Sequence, residues 1–331
     1  MQRNRSGYID LQVNGFQGID FSSPEVTGQE IEVAFRALIE RGTAGFLPTI
    51  ITSSEQTYQR NLTLISGVIG QNRYKDRIPG IHLEGPFLSP EDGARGAHNR
   101  AWIRKPDKKL LDQMMAWSGG RIKMLTIAAE RPEAADLCRH ATDLGVTVSL
   151  GHQLAGEDDI SRLVDAGAKA LTHLGNGLPA SVDRHRNPLW AGLANDNLTA
   201  MIIADGHHLP FSLTKVMLRA KGMDRICVVS DASPVAGLPA GRYHTLGNPV
   251  VLDDNGRLYN PNTGYLVGSS CTISMCVDYL ETGFKLNQET LDRIAFDQPL
   301  QLIGMDPVCF MENLSGKRAN NNRREPDTSS L

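Results

Sequence analysis

Glu84, His152, His173 and Asp231 each follow a short apolar run, at well-separated points along the chain. One carboxylate oxygen and two imidazoles suit a zinc-like catalytic ion that keeps a coordination position open for water. A second carboxylate, Asp231, standing over that water could take its proton and later pass it to a leaving amine. The metal would lower the water's pKa toward ~7 and polarise the carbonyl under attack. The chemistry these residue types suggest is metal-assisted hydrolysis of an amide or ester. Gln12 and Asn14 close a first apolar run in the same way, and His207 and His208 follow another. A lone histidine in such a place is more often a satisfied buried group than a ligand. Buried carboxylates and imidazoles need partners, however, so polar groups at six run ends together point to one shared site.

The elements that must position them read as strands and helices in alternation. Tyr8–Val13, Gly45–Ile51, Ile78–Leu83, Ile122–Ala128, Val146–Gly151, Ala170–Leu174, Ala200–Ala204 and Ile226–Ser230 are Val-, Ile- and Leu-rich with little polar alternation. That pattern predicts parallel strands buried on both faces. Amphipathic stretches lie between them at 28–41, 55–71, 132–144, 158–166 and 211–221. Eight such repeats in ~250 residues predict an α/β fold, a (β/α)8 TIM barrel of the metal-dependent hydrolase type, whose working residues gather at the C-terminal strand ends. An open doubly wound sheet is the alternative, but no GxGxxG follows any strand. Residues 242–268, with Asp254-Asn-Gly as a turn signal, predict a β-ribbon inserted after the eighth strand. Residues 271–283 and 288–303 predict two closing helices. The expected organisation is a lead at 1–7, a barrel at 8–305 and a tail at 306–331, disordered from 315, where almost nothing can be buried.

Composition narrows the function classes. The chain has 331 residues, 40% hydrophobic and 21% charged, with 34 Lys and Arg against 37 Asp and Glu. A net charge of −3 offers no basic surface for nucleic acid. No apolar run approaches the ~20 residues that span a bilayer. The five scattered cysteines have no CxxC spacing, so the expectation is reduced thiols in a cytoplasmic protein with neither membrane nor nucleic-acid partner.

Several strings together carry a resemblance: Tyr8-Ile-Asp-Leu-Gln-Val-Asn-Gly, His82-Leu-Glu-Gly-Pro-Phe, Gly96-Ala-His-Asn, Ser149-Leu-Gly-His, Thr172-His-Leu-Gly-Asn, Ala204-Asp-Gly-His-His, Ser230-Asp-Ala and Gly268-Ser-Ser-Cys-Thr. In this order and spacing, from about Tyr8 to about Met305, the chain resembles the N-acetylglucosamine-6-phosphate deacetylases of the amidohydrolase superfamily. The resemblance implies one divalent ion, zinc first, with iron, cobalt or manganese also suited, held by Glu84, His152 and His173. It implies Asp231 as the catalytic base and acid. It implies substrate contacts at Ala97, His98, Asn176, Gly177, Arg186, His208, Leu266, Val267 and Gly268, with Asn176, Gly177 and Arg186 toward a phosphate. Arg184 lies two residues from Arg186 and could serve instead. Gln12 and Asn14 stand where many amidohydrolases carry a His-x-His pair, so they read as remnants of a second metal site. The implied substrate is an amino-sugar 6-phosphate, and the implied assembly is a homodimer.

Two departures from that family stand out. Its members usually carry a small β-sandwich beside the barrel, and this sequence reads as the barrel alone. The Thr172 string and the segment from Val182 to Leu189 match the family's phosphate region loosely. Other readings are an amidohydrolase for another N-acyl sugar or cyclic amide, or a non-catalytic sugar-phosphate-binding barrel. Among the remaining residues, His82 reads as a packed structural histidine and Asp205 as a loop-fixing carboxylate. His140, His185 and His244 read as solvated, with His207 exposed beside a working His208. Pro86 and Pro188 read as turn punctuation.

Overall fold

The computed structural model describes residues 7–316. Eight parallel strands follow one another in chain order: β1 (Tyr8–Val13), β2 (Thr43–Ile51), β3 (Ile81–Glu84), β4 (Ile122–Ile127), β5 (Thr147–Leu150), β6 (Ala170–Leu171), β7 (Thr199–Ile203) and β8 (Ile226–Val229). A parallel bridge between Val13 and Ala232 brings the last strand back against the first. The chain is therefore the predicted (β/α)8 barrel. Its strands are almost wholly buried, as their unbroken apolar runs require.

Helices α1 (Gly28–Glu40), α2 (Glu55–Ile69), α3 (Lys108–Trp117), α4 (Ala134–Asp143), α5 (Glu157–Asp165), α6 (Pro188–Ala194), α7 (Phe211–Lys221) and α8 (Ile273–Phe284) form the outer layer. Their starts are chemically marked. Thr27 and Glu30 cap each other's backbone amides at α1, Ser54 caps α2, and Asn187 caps α6 with Pro188 in the first helical position. Pro188 thus opens a helix rather than a turn. The ribbon has three antiparallel strands, β9 (Gly241–Thr245), β10 (Asn248–Leu252) and β11 (Leu258–Tyr259), and residues 260–268 return as a loop toward the barrel mouth.

Residues 288–302 form the second expected closing helix, with a π-helical stretch at Arg293–Asp297 between α9 (Gln288–Asp292) and α10 (Gln298–Leu302). One expectation needs correction. Residues 306–314 are not a loose tail, since Asp306 caps α11 (Pro307–Leu314) through the Cys309 amide. Phe310 on that helix is buried edge-to-face against Phe296. Together they join Leu300, Ile9, Leu11, Met124, Met201 and Val229 in an apolar plug inside the barrel. The remainder of the expected tail, from Lys317, and the lead at 1–6 lie outside the described residues.

Because Phe310 is 1% exposed, truncating it removes a full aromatic payload and opens a cavity. The Phe310→Ala protein is expected to lose ~3–5 kcal/mol in denaturant unfolding. A loss below ~1 kcal/mol would show that α11 is not part of the barrel core.

Candidate metal and catalytic centre

Strand register puts the chemistry at one end of the barrel. Gln12, Glu84, His152, His173 and Asp231 come from five different strand ends and are all buried. Three of them share an uncommon backbone. His152, His173 and Asp231 have φ values of 50°, 30° and 50°, in the left-handed region that non-glycine residues enter at a cost. Strands β5, β6 and β8 therefore stop before the sequence pattern does, because the chain turns at these residues and swings their side chains into the mouth.

The Glu84 Oε1, His152 Nε2 and His173 Nε2 atoms lie 3.2, 2.9 and 3.0 Å apart, taken as Glu84–His152, Glu84–His173 and His152–His173. These separations come close to the ~3.3 Å edge of a tetrahedron with ~2.0–2.1 Å metal–ligand bonds. The His152 Nδ1 bonds the Ala94 carbonyl at 2.8 Å, so it carries the ring proton and leaves a lone pair on Nε2. This donor set fits a divalent cation. Gly96 and Gly177 press on the same ring: a Cβ at Gly177 would stand 2.9 Å from the His152 Nδ1, and one at Gly96 3.0 Å from its Cε1.

His98 joins the cluster, and Glu84, His98 and His152 also offer ligand atoms within 4.8 Å of one another. Its Nε2 is 3.2 Å from the His152 Nε2 and 3.7 Å from the Glu84 Oε2. The Thr52 amide, however, donates to the His98 Nδ1 at 3.3 Å. A neutral ring that accepts at Nδ1 carries its proton on Nε2, which makes His98 a hydrogen-bond donor into the site. Burial, with the neighbouring His152, pushes the His98 pKa down to about 3 and so keeps the ring neutral. Sequence reasoning missed Thr52, which has no signal of its own.

Electrostatics separate the two carboxylates. Burial acts to raise the Glu84 pKa, but the neighbouring His152 and His173 imidazoles outweigh it and hold the group well below the usual range. Asp231 goes the other way: burial and the Glu84 charge push it up to about 7, against His173, His208 and the bond from Asn14. The Asn14 Nδ2 donates to the Asp231 Oδ1 at 2.7 Å, and the Gln12 Nε2 to the Glu84 Oε1 at 2.8 Å. The pair that reads as a vacated metal site thus holds these two carboxylates in place.

A cleft of about 280 Å³ opens over this centre and is lined by Asn14, Glu84, Ala97, His98, His152, His173, Asn176, Gly177, His208, Asp231, Leu266 and Gly268. Asp205 orients His208: its Oδ2 accepts from the His208 Nδ1 at 2.7 Å, and its Oδ1 accepts from the amides of His207 and His208. Burial acts to raise the Asp205 pKa, but these bonds outweigh it and hold the carboxyl low. His207 is half-buried and its Nε2 bonds the Asn255 carbonyl on the ribbon, so it is not free. His140 is likewise not simply solvated, since its Nε2 meets the Asp112 Oδ1 at 2.6 Å. His82 is packed as expected: fully buried, with burial pushing its pKa down to about 4.

Three expected substrate contacts are not at the cleft. Val267 is buried with Ile51 and Leu246 in the apolar patch beneath the ribbon. Arg184 and Arg186 are exposed on the loop before α6, where Asp183 caps the backbone amides of His185 and Arg186. Among the described residues, neither guanidinium belongs to the cleft wall.

Known proteins can be set beside this geometry. No protein-family model matches the chain. A bovine N-acetylglucosamine-6-phosphate deacetylase is 34% identical over 312 residues, covering 91% of this chain and 74% of the relative. An Escherichia coli O157:H7 N-acetylgalactosamine-6-phosphate deacetylase is 30% identical over 315 residues, covering 94% and 81%. The crystal structure of N-acetylglucosamine-6-phosphate deacetylase from Pasteurella multocida superposes with a TM-score of 0.81 at 29% identity, covering 91% of this chain and 77% of that one. Identity sustained across the whole barrel, in a protein whose strand ends converge on one polar centre, places the sequence: the chain belongs to the N-acetylglucosamine-6-phosphate deacetylase family.

Proposed function

We propose that this protein hydrolyses the N-acetyl amide of an amino-sugar 6-phosphate, with N-acetylglucosamine 6-phosphate as the first substrate to test. The observation that carries the reading is Asp231 facing the same small cleft as the Glu84–His152–His173 cluster. These three residues would hold one divalent ion, zinc first, with iron, cobalt or manganese as alternatives. When bound, that ion would polarise the acetyl carbonyl and acidify the attacking water.

The chain's own residues do the rest. Asp231 accepts the proton of the water as it adds to the acetyl carbon, then returns it to the sugar nitrogen as the C–N bond breaks. Asn14 fixes one Asp231 oxygen, so the other is the one free to exchange the proton. His98, donating from Nε2, and His208, locked by Asp205, supply polar contacts from the cleft wall. Asn176 lies on the cleft wall, where its amide suits a phosphate oxygen. Arg186, or Arg184 beside it, is assigned to the phosphate of a second subunit's substrate, because neither guanidinium lines its own cleft. The active unit is on this reading a homodimer. Among the described residues no helix is long and apolar enough to cross a membrane. The proposed setting is the cytoplasm.

The E. coli relative acts, by its name, on the galacto epimer, so both sugars belong in the test. Acetate release by zinc-loaded protein is measured from N-acetylglucosamine 6-phosphate, N-acetylgalactosamine 6-phosphate and unphosphorylated N-acetylglucosamine. The expected result is turnover of a phosphosugar with kcat/KM at least ~100-fold above the free sugar, the scale of losing one charged anchor. Metal-loaded protein that releases acetate from neither phosphosugar overturns the reading.

A further inference from the structure

One layer below the metal cluster, four side chains form a continuous buried hydrogen-bond chain. The His82 Nδ1 lies 3.0 Å from the Leu11 carbonyl, and its Nε2 lies 2.8 Å from the Thr126 hydroxyl. Thr126 and Thr172 hydroxyls meet at 2.8 Å, and those of Thr172 and Ser149 at 2.6 Å. All four residues are buried, three of them completely.

The direction of every bond is forced. A carbonyl oxygen only accepts, so the His82 Nδ1 carries the proton and the neutral ring offers a lone pair at Nε2. Thr126 must then donate to His82. With that proton used, Thr126 can only accept from Thr172, and Thr172 in turn only from Ser149. The result is a one-way chain from Ser149 through Thr172 and Thr126 to His82, ending on the carbonyl before Gln12.

Three members lie close in sequence to a proposed ligand: His82 precedes Glu84 by two residues, Thr172 precedes His173 by one and Ser149 precedes His152 by three. The fourth, Thr126, is the cross-strand partner of Glu84. The layer also presses on the backbone directly: a Cβ at Gly151, just before His152, would lie 2.7 Å from the Thr172 Cβ and 3.2 Å from the Thr126 Cγ2. Five strands are thereby locked at one height just before two of them, β5 and β6, turn through the left-handed residues His152 and His173. A threonine or serine satisfies an ordinary barrel layer with no need to agree with its neighbours. Here each hydroxyl has a single permitted orientation, set by the imidazole.

We propose that Ser149, Thr172, Thr126 and His82 are positioning residues that set the spacing of the Glu84, His152 and His173 ligand atoms through this directed hydrogen-bond chain. The proposal rests on the reading of those three as metal ligands. It assigns His82 a role beyond packing, and it explains why a histidine, which accepts at one end and donates at the other, occupies the middle of a strand.

The test compares Thr126→Val, which keeps the shape and removes the link, with Thr126→Ser, which keeps the link. Metal affinity is measured by competition with a chromogenic chelator, and ligand geometry by the visible spectrum of the cobalt-loaded protein. Thr126→Val is expected to bind metal about 10–100-fold more weakly, the usual effect of losing an outer partner of a ligand, and to shift the cobalt bands. Its KM for the phosphosugar should stay within about twofold, because nothing in the layer reaches the cleft wall. Thr126→Ser should restore both affinity and spectrum. If Thr126→Val fails to fold, Ser149→Ala at the free end of the chain carries the same comparison with a smaller shift. Wild-type affinity and spectrum in the valine variant overturn the proposal and leave the ligand assignment standing. A wild-type protein that takes up no metal overturns the ligand assignment itself.

Discussion

Replacing Asp231 by asparagine is expected to cost at least ~10³-fold in kcat while the protein still takes up one metal ion. General acid–base catalysis by one positioned group is worth ~10²–10⁴, and here the same carboxylate serves both the addition and the departure of the amine. The asparagine is isosteric and can keep its carbonyl oxygen on the Asn14 amide, which is 2.7 Å from the Asp231 Oδ1 in the wild type. What it lacks is any atom that can accept the proton. The left-handed backbone at φ 50° also favours the exchange, since asparagine tolerates that region better than most residues. Folding and metal uptake should therefore survive, and the loss should fall on kcat. The pH profile gives a second check with a defined sign. A base must be ionised to work, so kcat/KM should rise with pH through the Asp231 pKa. Burial and the Glu84 charge set that value at about 7, and divalent charge in the centre draws it lower. The acid limb should thus lie at or below ~7 in the wild type. An Asp231→Asn enzyme retaining a tenth of wild-type kcat would falsify the mechanism.

How much of this was legible beforehand differs by kind of information. β1 was readable to the residue, and the other seven strands to within a few residues, because burial on both faces leaves a run of branched apolar residues that nothing else in the chain imitates. The convergence on one cleft was legible for a related reason: Glu84, His152, His173 and Asp231 are conspicuous as polar residues at the ends of apolar runs. The points where β5, β6 and β8 stop were not legible. A histidine or aspartate carries no mark of the left-handed turn it makes in the folded barrel, unlike a glycine in the same place. Helix α11 was missed although Asp306 and Pro307 spell a helix start, because Phe310 is the one large apolar side chain it buries, and one residue makes no period. The roles of Gln12 and Asn14 were half visible. Position placed them at the centre, but only the geometry turns them from remnants into donors that hold Glu84 and Asp231. Arg186 shows the opposite failure, since a residue type suited to phosphate is exposed on a loop and does not line the cleft.

The second large effect belongs to His173. Its Nε2 stands 2.9 Å from the Glu84 oxygen and 3.0 Å from the His152 nitrogen, so it supplies one corner of the cluster, and its Nδ1 has no hydrogen-bond partner among the described residues. A ring held by neither neighbour at Nδ1 contributes little to the fold through hydrogen bonds. Its removal should be felt in metal binding first. His173→Ala is expected to lose well over the ~100-fold in metal affinity that an outer partner can carry, and to lose turnover with it. Stability supplies the cleaner reading, because a ligand that binds only the folded state raises the melting temperature by mass action: about 4 kcal/mol at a thousandfold excess over Kd. Stripping the wild-type protein with a chelator should therefore lower its melting temperature by several degrees, and returning zinc should restore it. The His173→Ala protein should melt at one temperature with or without zinc. This contrasts with Asp231→Asn, whose melting temperature should follow the metal as the wild type's does. The two variants together separate holding the ion from moving the proton. A His173→Ala protein that is stabilised by zinc as fully as the wild type would assign the third ligand elsewhere, with His98 the nearest candidate at 3.2 Å from the His152 nitrogen.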